Sequence, residues 1–574
     1  ALATDRLADF GALAQTLNET GFSHSRRFRV RQGDLAITGA TRVADFEVIT
    51  DQGAITIDGA ARIDASAPYG GSIRLVGGGG LAMQAGAVLA AHATDAIDGL
   101  GSSRIDLEAV GGRLHLAGGT LDLRGGEGGK LRLRAQRTAG NDGLEVTALD
   151  AAVLGARSMV LEGVRRHASA DGTVESVARQ ATAEANAFAG STGILQRLGG
   201  DAAGYTLAAG IEIASAGDLT LGSDWNLFDS FGAAHRDGTL TLRAGGNLNI
   251  DGHLSDGFDI AGRDNGAGQA ARVQQANAWN LRLVSGADLG SVDALATRAP
   301  GALAADAGTI RVGTADTEPG TGGAGKLVRT GSGDLTVRAG RDLVLAHKDS
   351  ALYTAGRAEA DPTLGGRFST ASVDAQYGTE GGHVDIAAQG SVRAPTAQGS
   401  RSDQILTEWL FRQGRHGGQP DNPTGYYDPY EIGPSWAPVM SAQGQQPSWW
   451  VNHATFQQGL GALGGGNLRL SAGGDLVNLV VALPSTMRVA GGRSAGDAAA
   501  AIVSRNGGQL QVTAGGTLKA GQYYVGRGAG EIEAGASAAG YALTGTSSGW
   551  PYAAYAYDIA PVLALSDATL KLQT

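Results

Sequence analysis

The sequence predicts an all-β chain wound into a right-handed parallel β-helix, a solenoid with short helical and irregular insertions. Three observations lead there: a glycine-rich, aromatic-poor composition, a two-strand unit repeated along the chain, and the absence of cysteine. Glycine supplies 93 of 574 residues and aromatics only 5%. Interior glycine costs a helix roughly 0.5–1 kcal/mol relative to alanine, which argues against a helix-rich enzyme. Collagen is excluded because no Gly-X-Y period runs through the chain and proline is scarce. With no cysteine, neither a disulfide scaffold nor a thiolate metal site can form.

The repeat reads GTLTLRAGGNLNI at 238–250, GDLTVRAGRDLVL at 333–345, GNLRLSAGGDLVNL at 466–479 and GQLQVTAGGTLKA at 508–520, with a looser GHVDIAAQGSVRA at 382–394. Related pieces occur at 112–123 (GRLHLAGGTLDL) and 129–135 (GKLRLRA). Each unit has a Gly-polar opening, a short apolar alternation, an Ala-Gly corner and a second alternating strand. Leu240 and Leu242 lie two apart and share one strand face, with Thr239, Thr241 and Arg243 on the other. Gly245 and Gly246 permit a sharp bend, after which Leu248 and Ile250 resume the inward face. Two such strands cannot bury their apolar face alone, but coils of roughly 20 residues stacked on one another can. Parallel connections are overwhelmingly right-handed. A β-sandwich is disfavoured because hairpin turn signals are not systematic.

The expected organisation follows from where this pattern holds and fails. Residues 1–20 form a helical cap or linker, with Leu7, Phe10, Leu13, Ala14 and Leu17 at helical spacing. Coils occupy 21–173, 210–400 and 459–574. An Ala-rich helical insertion falls at 174–209. An excursion at 401–458 holds six of the 14 prolines and four of the seven tryptophans.

A net charge of −11 argues against nucleic acid as a partner. The densest basic group, Arg26, Arg27, Arg29 and Arg31, reads as a solvated strand face. No stretch approaches the roughly 20 apolar residues of a membrane helix, so no transmembrane segment is expected. The chain opens on Ala1 without a charged-then-apolar leader.

Among chemical motifs, GTGGAGKL at 320–327 has the spacing of a phosphate-binding loop but carries Leu327 where Ser or Thr would hold Mg²⁺. Asp256, Asp259 and Asp264 gather oxygen ligands that could take Ca²⁺, though without EF-hand spacing. The histidines lie far apart, and no nucleophile elbow is supported by its surroundings. Glycoside hydrolysis needs two carboxylates some 5–10 Å apart, and no Asp-Asp pair occurs. No catalytic residues and no cofactor are therefore expected. Tyr426, Tyr427, Tyr430, Trp436, Trp449 and Trp450 are the candidate ligand-binding residues, since flat aromatic faces stack on sugars or anchor interfaces. The competing expectation is a small core that holds the excursion against the coils. A second aromatic group comprises Tyr523, Tyr524, Trp550, Tyr552, Tyr555 and Tyr557.

Several long segments carry a family resemblance: IEIASAGDLTLGSDWNLF at 211–228, GTLTLRAGGNLNIDGHLSDGF at 238–258, TGSGDLTVRAGRDLVLAHKDSALYTAGR at 330–357, WWVNHATFQQGLGALGGGNLRLSAGGDLVNLVVALPSTMR at 449–488 and GGTLKAGQYYVGRGAGEIEAG at 515–535. From about residue 30 onward the chain resembles filamentous haemagglutinin exoproteins exported by two-partner secretion, and in particular a conserved domain in the later part of many of them. The resemblance implies a secreted adhesin at the bacterial cell surface. Its partners would be an outer-membrane transporter during export and a receptor or glycan on a host or neighbouring cell. The family's secretion motif of Asn-Pro-Asn-Gly type is matched only loosely, by Asn422-Pro423-Thr424-Gly425 inside the excursion. The pattern of LALSDATLKLQT at 563–574 stops midway, which reads as a segment of a longer protein. Two other readings remain at this point: a β-helical polysaccharide lyase or glycosidase, and a spacer in a contact-dependent toxin-delivery exoprotein.

Overall fold

A computed structural model of the chain describes residues 1–94, 100–126, 128–199, 202, 204–231, 237–259, 271–315, 323–358, 377–395, 409–413, 448–451, 453, 456, 459–489, 502–539, 541–545, 555–559 and 561–574. The chain is an all-β parallel β-helix whose largest sheet holds 28 strands. It divides into two compact units. Unit 1 comprises 1–216, 236–245 and 287–297; unit 2 comprises 217–235, 246–286 and 298–574.

In unit 1 three parallel sheets share the coils. One carries the column Phe28, Val48, Leu75, Leu107, Leu133, Leu161 and Leu207, in register from strand to strand. All seven are buried. The second sheet runs through Leu35–Ile37, Ile55–Ile57, Leu81–Met83, Leu114–Leu116 and Val146–Leu149. The third runs through Ala40–Arg42, Arg62–Asp64, Val88–Ala90, Thr120–Asp122 and Ala152–Leu154. The coils are longer than the expected 20 residues: the column advances 20 residues from Phe28 to Val48 but 32 from Leu75 to Leu107.

The first helix spans Phe10–Glu19, its N-terminus capped by Asp9 accepting from the Ala12 amide at 2.9 Å. Its Phe10 ring meets Phe28 and Phe46 edge-on, at 5.5 and 6.1 Å, so it covers the apolar interior of the first coils. The Ala-rich insertion contains helices Glu175–Ala189 and Gly193–Leu198. The longer one buries Ala181, Ala185 and Phe188, with the Arg137 guanidinium 4.5 Å above the Phe188 ring.

Unit 2 repeats the coil with a distinctive corner. Inward columns such as Leu335, Val384, Leu468 and Leu510, or Leu343, Val392, Leu476 and Leu518, are buried throughout. The polar residue before each column leucine or valine accepts a hydrogen bond from the backbone amide at the same place in the next coil. Asn280 accepts from Asp334, Asp334 from His383, His383 through Nδ1 from Asn467, and Asn467 from Gln509, at 2.7–3.0 Å. A second series runs from Asp218 to Asn247 to Thr309, and from Asp342 to Ser391 to Asp475 to Thr517. The adjoining glycine makes room for this transfer. A Cβ on Gly246 would lie 2.1 Å from Asp218 Oδ1, and one on Gly382 only 1.7 Å from the Gly333 carbonyl oxygen. The Gly-polar opening is thus a single device, with glycine bringing the coils close and the polar side chain satisfying an amide that faces away from the strand ladder.

Two outcomes test this. Asn467→Ala removes one acceptor and is expected to cost about 1–2 kcal/mol in urea unfolding, while Asn467→Asp stays near wild type. Gly382→Ala must displace backbone and is expected to cost about 3 kcal/mol or more, read as a lower denaturation midpoint.

Candidate functional site

The excursion returns to the coils as a second layer in unit 2. Leu410–Gln413 and Ser448–Val451 pair antiparallel and join Ser485–Val489 and Ile502–Asn506 in a four-stranded sheet. On the coils, the outward column Arg329, Tyr353, Gly461, Ala482 and Tyr524 lies in register. Those positions would face water on a bare rod. Here Tyr353, Ala482 and Tyr524 instead share a buried cluster with Phe258, Trp409, Leu410, Val451 and Phe456. Trp409 packs edge-on against Phe456 at 5.3 Å and against Tyr524 at 6.0 Å. Burial of several large rings at one face, each contributing roughly 1.5–3 kcal/mol, fixes the layer in place.

Of the six candidate ligand-binding aromatics, Trp450 is buried at 1% exposure. Trp449 is half-buried and donates through Nε1 to Ser485 Oγ at 3.4 Å. Tyr426, Tyr427, Tyr430 and Trp436 lie outside the described residues. In the second aromatic group Tyr523 faces the apolar interior and Tyr524 the aromatic cluster, both buried. The side chains of Tyr555 and Tyr557, with Trp550 and Tyr552, also lie outside the description. The described aromatics therefore form a core. At its edge Arg329 lies 4.3 Å over the Phe258 ring, donating from Nε to Ser255 Oγ at 2.9 Å and from Nη1 to the Tyr353 hydroxyl at 3.3 Å. His453 stacks on Tyr353 at 5.8 Å, and burial, reinforced by the Arg329 charge, pushes its imidazole down to about 3.

Two of the three candidate metal ligands are described. Asp256 is fully buried and accepts from the Trp279 amide at 2.5 Å, which gives its carboxylate a structural task. Asp259 is half-buried, and Asp264 lies outside the described residues. Among the described residues no three His, Asp or Glu side chains are grouped to hold a metal ion. The segment resembling a phosphate loop leads into the strand Leu327–Thr330, not a helix, and Lys326 reaches towards Asp224 at 3.7 Å. A phosphate loop needs the helix N-terminus that this strand replaces.

The sequence analysis did not anticipate an extended charge network among the described residues of unit 1. In unit 1 charged outward side chains of the first sheet form a network in which Arg74, Glu108, Arg134, Glu162, Glu212 and Arg243 are buried. Arg74 bridges Glu47 at 2.9 Å and Asp293 at 2.5 Å. Arg134 bridges Glu108 at 2.5 Å and Glu162 at 2.9 Å, and Glu162 also takes Arg132 and the Thr239 hydroxyl. Glu212 holds Arg243 at 2.6 Å and Arg166 at 2.8 Å. Segment 287–297 lies over this face: Asp288 reaches Arg29 at 3.2 Å, and its carbonyl accepts from Arg243 at 2.9 Å. Thr239 and Arg243 thus face a charged interior and not water, and Gly238–Ala244 is buried on both sides. The basic group near residue 28 is likewise no solvated face. Arg26 is buried and donates to the Phe22 carbonyl at 2.7 Å and to Asn18 Oδ1 at 2.8 Å, closing the end of the first helix. Arg27 pairs with Asp45 and Arg29 with Asp51, and only Arg31 is largely exposed.

Burial disfavours the Glu212 carboxylate, but Arg243 and Arg166 outweigh it and hold the group below the usual glutamate range. For Arg134 burial opposes the charge, and Glu108 and Glu162 more than restore it. Compared with known protein families, with curated proteins and with solved structures, the chain matches none.

Removing one member of the network strands a buried charge. Arg134→Met is expected to destabilise the protein by about 3–5 kcal/mol in denaturant unfolding, because Glu108 and Glu162 lose their common partner. Because the folded Glu212 pKa is lowered, its stabilisation is present above the unfolded value of about 4.3 and is lost as pH falls through the folded value. The stability gap between wild type and Glu212→Gln should therefore be constant near neutrality and narrow only below that range.

Proposed function

We propose that this chain is a segment of a secreted exoprotein of filamentous haemagglutinin type, acting as a stalk and contact surface for attachment to cells or glycans. Export through an outer-membrane partner transporter and display at the bacterial cell surface belong to the same reading. One observation carries it: from Asn280 to Gln509, among the described residues, four successive polar corners of unit 2 are each satisfied by the amide of the next coil. Such a fold grows by repetition, so chain length becomes reach without any new kind of contact. Chain emerging from a transporter could be added coil by coil, each coil templating its successor, and no disulfide is needed to hold the product.

Attachment then falls to segments that leave the coil pattern. The buried aromatics at the base of the excursion support a rigid mount, with Leu410–Gln413 and Ser448–Val451 as its two legs. The test compares the intact chain with one in which 414–447 is replaced by a short Gly-Ser linker. Both are applied to epithelial and bacterial cells and to immobilised glycans. Loss of affinity by at least about tenfold, or roughly 1.4 kcal/mol, is expected if the excursion carries attachment. Equal binding by both proteins would move attachment to the coils. Absence of binding by the intact chain to every surface would count against the attachment reading itself.

A further inference from the structure

Segment 287–297, which belongs to unit 1, is a loop complete in itself. Gly286, at a φ of 58°, turns the chain into it, and the Arg298 amide donates back to the Gly286 carbonyl at 2.8 Å to close the neck. Inside the loop the Asp288 amide donates to the Ala296 carbonyl at 2.9 Å and the Ser291 amide to the Asp288 carbonyl at 3.0 Å. The Leu295 amide donates to Asp293 Oδ1 at 2.9 Å. Its larger apolar side chains, Leu289, Val292 and Leu295, stay part-exposed, and the buried ones are Ala287 and Ala294. Two buried methyl groups hold a loop weakly.

Polar side chains do most of the holding, and they reach far back along the chain. Asp288 meets Arg29 at 3.2 Å across 259 residues of sequence, and Asp293 meets Arg74 at 2.5 Å across 219. The Ser291 hydroxyl donates to Asp51 at 3.4 Å, and the Arg243 guanidinium donates to the Asp288 carbonyl at 2.9 Å. Each arginine that grips the loop is also held from the coils. Asp51 pairs with Arg29 at 2.9 Å, Glu47 with Arg74 at 2.9 Å and Glu212 with Arg243 at 2.6 Å. Breaking a buried ion pair is costly chiefly when one partner is left behind without a counter-charge. Withdrawal of this loop would leave every one of these guanidiniums with a carboxylate and return Asp288 and Asp293 to water.

We infer that segment 287–297 is an ionic strap that opens and recloses as a unit over the charged face of unit 1, with Asp288 and Asp293 as its two catches. Both arrangements satisfy the same charged groups, which is the condition for a two-state element. The coils beneath keep their structure while the strap is open, because Ser72–Gly77 is paired on both sides, to Asp45–Thr50 and to Arg104–Ala109. Opening uncovers Arg29, Arg74 and Arg243 on the side the strap had occupied. Salt screens the separated charges and so shifts the balance towards the open form. Once undocked, so short a loop does not hold its own hydrogen bonds, and its amides exchange with solvent.

The experiment is amide hydrogen exchange of the full chain, read by mass spectrometry on peptides covering 287–297 and 72–77. In the wild type, exchange of 287–297 is expected to rise several-fold between about 0.05 and 0.5 M NaCl, while 72–77 stays protected at both. The Asp288→Asn/Asp293→Asn variant keeps the size of both side chains and removes their charge. Its strap is expected to exchange at least about tenfold faster than that of the wild type, with 72–77 unchanged. Exchange of the wild-type strap that ignores salt would overturn the inference, and that arm needs no variant to fold. Equal acceleration of both segments in the variant, or of neither, would also overturn it and make the loop a fixed part of unit 1 that opens only with the strands.

Discussion

Unit 2 depends on one transfer: at two corner positions along its coils a polar side chain accepts the backbone amide of the next coil, and an adjoining glycine lets the two coils approach. Strand ladders satisfy amides along the straight sides of a β-helix, but at a corner the chain turns and its N–H groups leave the ladder. An unsatisfied buried amide costs roughly 1–3 kcal/mol, so an unmanaged corner in every coil would exhaust a fold of marginal stability. The two series show the solution, and their members are interchangeable in kind: carboxylate, carboxamide, hydroxyl or imidazole nitrogen. What matters is a lone pair at the right height.

With the interior apolar and the corners settled, the outward face of the main sheet distinguishes the two units. In unit 1 it carries alternating arginine and glutamate, closed in by segment 287–297. In unit 2 one outward column, Tyr353, Gly461, Ala482 and Tyr524, carries small and aromatic residues beneath an aromatic layer. The charged solution is costly to assemble, since desolvation of each ion offsets much of the pairing. What it supplies is uniqueness: a coil slipped by one residue would turn these charges towards the apolar interior. The aromatic solution is favourable by area alone and suits a layer inserted from a distant part of the sequence.

Much of this was legible before any coordinates. The Gly-polar opening at 238, 333, 382, 466 and 508 predicts stacked coils, and Leu240, Leu242, Leu248 and Ile250 point inward as their spacing requires. The function of the polar residue was less accessible, because one coil alone shows a residue before a leucine, while its partner amide lies 29 to 84 positions away. The buried charges were hidden for a related reason. Within KLRLRA at 130–135 the arginines alternate with leucine as on any solvated strand. Only the register, which sets Glu108, Arg134 and Glu162 side by side, shows opposite signs at one height on neighbouring strands. That register was recoverable in principle from RIDLEA, KLRLRA and SMVLEG aligned on their leucines. The covering segment 287–297 was not, since nothing local marks it as a partner of Arg29 or Arg74. For Trp450 the sequence left two readings open, since aromatic rings in an irregular segment are as useful for anchoring it as for binding, and its burial favours the anchoring one.

The central claim is that corners are held as firmly as strands. Native-state amide hydrogen exchange on the unmodified chain tests it most directly. The amides of Asn247, Thr309, Ser391, Asn467, Gln509 and Thr517 sit at corners, yet each donates to a side chain of the preceding coil. They should exchange as slowly as the amides of the strands they introduce, opening only with the coil as a unit. Exchange at the rate of exposed loop amides, while the adjoining strands stay protected, would contradict the account.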